Sequence, residues 1–147
     1  MLVYVYMKMT LENLHTIAQD IITKAHNTTS ETAVVIALEG DLGAGKTTLT
    51  QEIARTLSVK ETVISPTFVI MKKYKVVDKK FEYLIHIDAY RLNKSEELLK
   101  LGWNELVSHK TNLILIEWPE NVPECIPQNA LSVKLSHGDD NSHSIEF

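Results

Sequence analysis

The sequence predicts an α/β fold in which a central, mostly parallel sheet carries helices on both faces. Three observations lead to this prediction. A glycine-rich loop lies between a short apolar segment and an amphipathic one, which predicts a strand, a loop and a helix in succession. Two later β-rich segments each end at an acidic residue, Asp88 and Glu117, and polar turns separate further β-rich segments as in hairpins. With 147 residues, the chain is predicted to form one domain over residues 1–147.

The glycine-rich loop carries the strongest chemical signal. From Gly40 to Thr47 it reads Gly-Asp-Leu-Gly-Ala-Gly-Lys-Thr, which fits the phosphate-binding pattern of Gly, four residues and Gly-Lys-Ser/Thr. Glycines let the backbone turn tightly and bring N–H groups close to phosphate oxygens. Lys46 supplies an ammonium for the terminal phosphates, and Thr47 offers a hydroxyl to Mg²⁺. The following helix directs the positive end of its dipole at the same anion.

Hydrophobic spacing predicts the elements around this loop. Residues 2–7 favour a strand, Thr10 is placed to cap a helix that extends to residue 25, and residues 27–32 are polar and predict a loop. Residues 33–38 form a continuous apolar run, typical of a buried strand. The apolar stripe of the first helix comprises Leu11, Leu14, Ala18, Ile21, Ile22 and Ala25, and that of the helix after the loop comprises Leu49, Ile53, Ala54 and Leu57.

The second half of the chain alternates between strands and short helices. Residues 62–77 are β-rich but interrupted at Pro66, and the polar turn at 78–80 predicts a hairpin with a strand over 82–87. Ser95 is placed to cap a helix that Gly102 ends, with Leu98, Leu99 and Leu101 as its apolar residues. A short helical piece is predicted around residues 106–107 and a buried strand over 113–116. Alternation over 131–135 predicts another strand, to which residues 144–147 pair back across a turn at 137–141.

Asp88 and Glu117 follow predicted parallel strands, as does the glycine-rich loop. Functional groups at the carboxyl ends of parallel strands gather in one crevice, so we expect both acids to lie near Lys46 and Thr47. An apolar strand followed by an acid is also the arrangement that holds Mg²⁺, directly or through water, in nucleotide hydrolases. Two strands compete for that role here.

Composition narrows the class of protein. The net charge is −4, and only two of the fifteen basic residues are Arg, which argues against a large nucleic-acid surface on this chain alone. The single cysteine, Cys125, cannot form an intramolecular disulfide and suggests a reducing compartment. No apolar run approaches eighteen residues, and residues 1–6 lack the basic start and the length of a signal peptide. These features predict a cytoplasmic protein that does not bind membranes.

Four motifs in order resemble the TsaE (YjeE) family. They are Gly-Asp-Leu-Gly-Ala-Gly-Lys-Thr-Thr at 40–48, Ser-Pro-Thr-Phe at 65–68, His-Ile-Asp-Ala-Tyr-Arg-Leu at 86–92 and Ile-Glu-Trp-Pro-Glu at 116–120. The resemblance implies a P-loop NTPase fold whose sheet has antiparallel edge strands. It further implies an ATPase subunit of the bacterial machinery that forms threonylcarbamoyladenosine on tRNAs reading codons that begin with A. Its implied partners are the TsaD and TsaB subunits, with tRNA contacted only through the complex.

The resemblance also assigns roles to individual residues. Thr47 and Glu117 resemble the Mg²⁺ site, Asp88 resembles a residue at the nucleotide and its water, and the loop at 65–67 resembles a switch near the γ-phosphate. Lys46, Asp88 and Glu117 are thereby the candidate catalytic residues, with ATP and Mg²⁺ as the implied cofactors. The candidate ATP-binding residues are Gly43, Ala44, Gly45, Lys46, Thr47, Thr48, Thr67 and Asp88.

Several positions stay open or depart from the family. Trp118 is either a functional surface residue or part of the core, and Arg91 either bridges to a partner or tRNA or pairs with a carboxylate. Family members tend to have an acid near the Tyr after the switch loop, where this chain has Lys72-Lys73. They often have an Arg in the C-terminal hairpin, where residues 137–147 contain none and His143 is the one candidate replacement.

Other classes share the loop. A small-molecule kinase would hold an acceptor near Asp88. Such kinases commonly close an Arg-rich lid over the phosphates, and a chain with only two Arg has few residues from which to build one. A GTPase is disfavoured. The segment at 93–96, Asn-Lys-Ser-Glu, only faintly resembles the guanine-reading motif Asn-Lys-x-Asp, because it ends in Glu and lies before the Glu117 strand rather than after it. A non-hydrolysing adaptor that binds ATP only to control assembly is the third alternative. Phosphate release separates it from the ATPase.

Overall fold

The computed structural model describes residues 4–140 and 142–147 and contains a seven-stranded sheet flanked by helices. The spatial order of its strands is β1-β7-β6-β2-β5-β4-β3. The strands are β1 (Tyr6–Met9), β2 (Val34–Glu39), β3 (Met71–Lys75), β4 (Tyr83–Asp88), β5 (Asn112–Glu117), β6 (Leu131–His137) and β7 (His143–Glu146). The helices are α1 (Leu14–Asn27), α2 (Lys46–Thr56), α3 (Ser95–Lys100) and α4 (Trp103–Ser108), and two short 3-10 turns span Pro119–Asn121 and Pro123–Cys125.

The centre of the sheet is parallel and its edges are antiparallel. Strand β2 pairs in parallel with β5 and with β6, and β5 pairs in parallel with β4. At one edge β3 runs antiparallel to β4, and at the other β7 runs antiparallel to β6 and β1. The predicted mixed α/β sheet and both predicted hairpins are therefore confirmed. Strand β6 adds a fourth parallel strand next to β2, which the sequence did not indicate.

Successive side chains of a strand point to opposite faces of the sheet. Both faces are therefore apolar, and helices cover each of them. On β2, Ile36 and Leu38 pack with α1 and α2, whereas Val35 packs with Leu98 of α3 and Trp103 of α4 on the other face. Each of these side chains is almost fully buried. Truncating one of them, for example Ile36→Ala, would cost about 2–5 kcal/mol of the free energy of unfolding.

The same alternation directs polar side chains of β4 and β5 toward α2. Leu84 and Leu115 belong to the core shared with α1 and α2. Because side chains two residues apart share a face, His86 and Asp88 on β4 and Glu117 on β5 also lie on that side. These three polar residues are buried, with exposures of 1%, 4% and 3%. The chain thus places polar groups inside the layer between the sheet and α2.

The N-terminal region differs from its prediction. Strand β1 spans Tyr6–Met9, later than expected, and residues 2 and 3 of the predicted strand lie outside the described residues. Thr10 does not cap α1. It forms a turn with Asn13, whose side-chain oxygen accepts the Thr10 N–H at 2.7 Å, and the helix begins at Leu14. Leu11, predicted to belong to the apolar stripe, lies in this turn and is 86% exposed.

Only part of the β-rich segment at 62–77 is a strand. Residues 62–70 form a loop, and β3 begins at Met71. The carbonyl of Pro66 accepts the N–H groups of Val69 and Ile70, so the chain turns back after Pro66 instead of extending. Ile70 adopts a φ of 69°, which ends the turn before β3. The β-branched composition of this segment favoured a strand that local turn formation around Pro66 prevents.

Helix α3 also differs in detail. Ser95 is its first residue and makes no capping bond to its own helix. The Ser95 hydroxyl instead hydrogen-bonds to the carboxylate of Glu124, which ties α3 to the second 3-10 turn. Leu98 is buried as predicted, but Leu99 and Leu101 are exposed. Gly102, with a φ of 94°, separates α3 from α4. Within the described part of the chain, no helix has the length and apolarity needed to cross a membrane.

The turn between β3 and β4 is tied to the end of α1 by Asp78. Its Oδ2 accepts the N–H groups of Lys80 and Phe81 at 2.9 and 3.0 Å, and its Oδ1 lies 2.9 Å from His26 Nε2 on α1. Burial alone would raise the pKa of Asp78, but these hydrogen bonds outweigh it and hold the pKa below its ordinary value of 3.8. The Asp78 carboxylate therefore stabilises the fold.

Asp78→Asn is expected to lower the free energy of unfolding at pH 7 by about 1–3 kcal/mol, the cost of weakening a charge-assisted hydrogen-bond cluster. Because the folded pKa is depressed, the contribution is fully present above the unfolded pKa and is lost as the pH falls through the folded pKa. The difference in unfolding free energy between wild type and variant should therefore shrink below about pH 4.

Chemical denaturation of both proteins at pH 7 and at pH 3 measures this difference. Asp20→Asn, at an exposed position on α1, is the control. A pH-independent difference would contradict the assignment.

Candidate functional site

The site is built around the loop that joins β2 to α2. Gly43 and Gly45 have φ values of 82° and 101°, which side-chain-bearing residues rarely adopt. A Cβ on Gly45 would lie 2.8 Å from Met9 Cε, the end of a flexible side chain that can shift, so the positive φ and not the lack of space requires glycine there. At the start of α2, the N–H of Leu49 donates a hydrogen bond to the carbonyl of Gly45 at 3.0 Å. The N–H groups before Leu49 have no acceptor within the helix. They are therefore free to donate to an anion at this end of α2.

Lys46 is the first residue of α2 and its side chain is buried within the site. Its Nζ donates to the carbonyl of Gly40 and lies 4.0 Å from the centroid of the Trp118 ring. Burial lowers the pKa of Lys46 below its ordinary value of 10.5, and the nearby carboxylates of Glu117 and Asp88 oppose that shift. The ammonium thus lies among the loop, an aromatic face and two acids.

Asp88 and Glu117 lie side by side at the ends of β4 and β5, where the strand register pairs them directly. Asp88 Oδ2 accepts the hydroxyl of Thr67 at 2.8 Å, and Asp88 Oδ1 accepts the N–H of Tyr90 at 2.9 Å. Glu117 Oε2 lies 2.6 Å from His86 Nε2. Asp88 therefore bonds to the 62–70 loop and Glu117 to the interior of β4.

These groups surround one cavity of about 440 Å³, within the size range of small-molecule sites. The structure brings together every residue that the sequence assigned to the site except Ala44. Ala44 is buried under the loop, and its carbonyl lies 3.2 Å from His143 Nδ1. The cavity is lined by Leu42, Gly43, Gly45, Lys46, Thr47, Thr48, Ser65, Thr67, Asp88, Tyr90, Glu117, Trp118 and His143.

The structure resolves two positions that the sequence left open. Trp118 is partly exposed and has a φ of 57°. It packs against the hydrophobic cluster on the α3 and α4 side of the sheet and against the Tyr90 ring, with centroids 5.1 Å apart, and it also lines the cavity. Arg91 lies over the ring of Phe68, 4.6 Å from its centroid. Within residues 4–140 and 142–147, Arg91 forms no ion pair with a carboxylate.

Sequence reasoning missed the contributions of His86 and Tyr90. His86 is the one polar residue inside the otherwise apolar run of β4, and its spacing of two from Asp88 places it on the site's face. The spacing of two between His86 and Asp88 could therefore have identified His86 as a site residue from the sequence. Tyr90 follows the end of β4, and only the fold of the chain beyond Asp88 shows that its ring reaches Trp118.

The donor set at the cavity fits a magnesium nucleotide. Thr47 offers a hydroxyl and Glu117 a carboxylate, and Mg²⁺ is usually bound by one or two such groups together with substrate phosphates and water. In the described part of the chain, no three His, Cys, Asp or Glu side chains are grouped as a metal cage. One hydroxyl and one carboxylate suit a metal that is shared with a ligand's phosphates, and Lys46 and the start of α2 suit those phosphates.

Comparison with known proteins identifies the family. The family model described as "Threonylcarbamoyl adenosine biosynthesis protein TsaE" matches residues 9–145. The chain belongs to the TsaE family. The matched span contains the glycine-rich loop, both strand-end acids and the 62–70 loop, so the resemblance drawn from four short motifs is confirmed over nearly the whole chain.

Two relatives named TsaE and one solved structure agree with this assignment. A tRNA threonylcarbamoyladenosine biosynthesis protein TsaE of Nostoc sp. is 40% identical over 116 residues, covering 77% of this chain and 68% of the relative. The protein of the same name from Bacillus subtilis is 38% identical over 113 residues, with the same coverage of each chain. The crystal structure of YdiB from Bacillus subtilis superimposes with a TM-score of 0.73 at 29% identity, covering all of this chain and 86% of that one.

Proposed function

We propose that the protein is a Mg²⁺-dependent ATPase with a P-loop NTPase fold that serves threonylcarbamoyladenosine biosynthesis on tRNA. In this proposal ATP binding and hydrolysis drive the cycle of a TsaD–TsaB transferase in the cytoplasm, and tRNA is contacted only through that complex. The observation that carries the proposal is the convergence of Lys46, Thr47, Asp88 and Glu117 on one cavity at the start of α2. The relatives named TsaE support the biosynthetic role.

Each group has a distinct role in the proposed reaction. Lys46 and the first N–H groups of α2 bind the terminal phosphates and offset the charge that develops on the γ-phosphate. Thr47 and Glu117 would hold Mg²⁺, which neutralises charge on the β- and γ-phosphates when bound. Asp88 accepts a hydrogen bond from a water or from Thr67 and orients the attacking water. Positioning and charge neutralisation account for most of the catalysis in this class of reaction.

The two arginines support a dependence on partners. Arg55 pairs with Glu52 on α2, and Arg91 lies over Phe68, and neither lines the cavity. An arginine supplied by a partner raises the rate of comparable enzymes by about 10³–10⁵-fold. We therefore expect slow hydrolysis by the isolated chain. Its net charge of −4 also gives it little electrostatic attraction for tRNA.

Product analysis separates this proposal from the two alternatives. The ATPase releases ADP and inorganic phosphate in equal amounts from Mg–ATP. A small-molecule kinase would transfer the γ-phosphate to an acceptor, so radiolabelled phosphate would appear in an organic product. A nucleotide-gated adaptor would bind ATP and release no phosphate, alone or with TsaD and TsaB. Following γ-labelled ATP by chromatography, with and without the pair, distinguishes the three.

Thr67 is proposed to report the γ-phosphate to the partner through the 62–70 loop. Its hydroxyl bonds to Asp88 Oδ2 at 2.8 Å, so a change at the nucleotide that moves Asp88 also changes the loop. Thr67→Ala is expected to lower partner-stimulated turnover by about tenfold, the effect of losing one hydrogen bond to a charged group, and to lower basal turnover less. Steady-state phosphate release with and without the TsaD–TsaB pair measures both.

Thr62→Ala is the matched control, since Thr62 is exposed on the same loop and does not line the cavity. Its basal and stimulated turnover should equal the wild-type values. Equal losses of basal and stimulated turnover in Thr67→Ala would show that Thr67 acts only on the chemistry and does not communicate with the partner.

A further inference from the structure

His86 is a buried polar residue whose presence the fold alone does not explain. It lies in β4 with 1% of its surface exposed, between Ile85 and Ile87, which are fully buried on the opposite face. Its Nε2 lies 2.6 Å from Glu117 Oε2, while its Nδ1 is buried without a hydrogen-bond partner in the described part of the chain. Leaving a buried polar atom unpaired is costly, so an apolar residue would serve packing better here.

The strand register explains how His86 reaches Glu117. Asp88 pairs with Glu117 across β4 and β5, and His86 pairs with Leu115, so His86 lies one pleat behind the two acids. From there its ring extends diagonally to the Glu117 carboxyl group. A carboxylate can only accept hydrogen bonds, so Nε2 carries the hydrogen and donates it to Oε2. Among the described residues, Oε1 has no hydrogen-bond partner, and Glu117 lines the cavity.

A second histidine–carboxylate pair in the protein shows what a structural pair looks like. His26 bonds to Asp78 at 2.9 Å, but Asp78 also accepts two backbone N–H groups that hold it in place without the histidine. Glu117 has no such backbone donors, and His86 is the hydrogen-bond partner of its side chain in the described structure. The orientation of the Glu117 carboxylate therefore depends on His86.

We propose that His86 is a positioning residue that holds the Glu117 carboxylate in the orientation needed to bind Mg²⁺. This inference rests on the proposed function, because it concerns the metal that accompanies ATP. Donors that contact a metal-binding carboxylate from behind fix its orientation, and removing them typically reduces metal affinity by about 10–100-fold. His86 would act on Mg²⁺ through Glu117, with no contact to the nucleotide itself.

The test is the gain in affinity for a non-hydrolysable ATP analogue on adding Mg²⁺, measured by calorimetry in Mg²⁺ and in EDTA. His86→Phe keeps a ring and removes both nitrogens, and His86→Leu carries the same prediction if the phenylalanine variant does not fold. Either should bind the analogue in EDTA as wild type does and lose about tenfold or more of the Mg²⁺-dependent gain. His86→Gln retains an N–H donor and should recover a large part of it.

Leu84→Ala is the matched control, because Leu84 is buried on the same strand and face but pairs with Leu113, four residues before Glu117. It should destabilise the fold and keep the full gain from Mg²⁺. A full gain in both His86→Phe and His86→Leu, or an equal loss in Leu84→Ala, would overturn the inference while leaving the proposed function standing. A wild-type protein that gains nothing from Mg²⁺ would contradict the proposed function itself, and the inference with it.

Discussion

Lys46→Ala is expected to abolish measurable ATP hydrolysis and to weaken Mg–ATP binding by about 10–100-fold, the effect of removing a charge-assisted contact to the phosphates. The Lys46 ammonium lies at the start of α2 beside both strand-end acids, where a terminal phosphate would meet it. Because it also offsets charge that develops during transfer, the loss in turnover should exceed the loss in affinity.

The fold should survive this change. Lys46 contacts the Gly40 carbonyl and the Trp118 ring but does not belong to either hydrophobic core. Circular dichroism and thermal unfolding check this, and Lys60→Ala, at an exposed position beyond α2, controls for the general loss of a positive charge. Unchanged ATP turnover in a folded Lys46→Ala variant would show that the glycine-rich loop is not the active site.

Glu117→Gln is expected to reduce Mg²⁺-dependent turnover by about 10²–10³-fold, a range typical of removing one key electrostatic group. The substitution keeps the shape of the side chain and removes the charge proposed to hold the metal. Asp88→Asn should also reduce turnover, with a smaller loss of nucleotide affinity, because Asp88 is proposed to orient water. Turnover as a function of Mg²⁺ concentration and calorimetric binding of Mg–ATP separate the two effects.

Glu82→Gln is the control for these acids, since Glu82 lies just before β4, at the opposite end of the strand from Asp88, is exposed and does not line the cavity. It should hydrolyse ATP at the wild-type rate with the same Mg²⁺ requirement. Wild-type turnover in both Glu117→Gln and Asp88→Asn would place the metal elsewhere in the protein.

The parts of the fold that could be predicted are those that local sequence determines. The phosphate-binding pattern of the loop lies within the single short segment 40–47. The flanking β2 and α2 follow from a continuous apolar run and from apolar residues at helical spacing. The meeting of Asp88 and Glu117 with Lys46 followed from a general property of parallel strands and required no knowledge of the strand order. The predicted crevice is therefore present in the structure.

The parts that could not be predicted depend on long-range contacts or on competing local preferences. The parallel pairing of β6 with β2 joins distant segments, and nothing in residues 131–137 indicates it. Residues 62–70 have a β-rich composition but turn after Pro66. Trp118 adopts a left-handed backbone conformation that turns the chain after β5, and its place over Lys46 follows from that turn.

The most direct test of the central claim is steady-state phosphate release from Mg–ATP by the purified chain, alone and with the TsaD–TsaB pair. Neither Arg55 nor Arg91 lines the cavity in the described structure, so we predict slow release by the chain alone and a clear increase with the pair, both abolished by Lys46→Ala. Equal rates with and without the pair, or release that persists in Lys46→Ala, would contradict an ATPase at this site that serves the transferase.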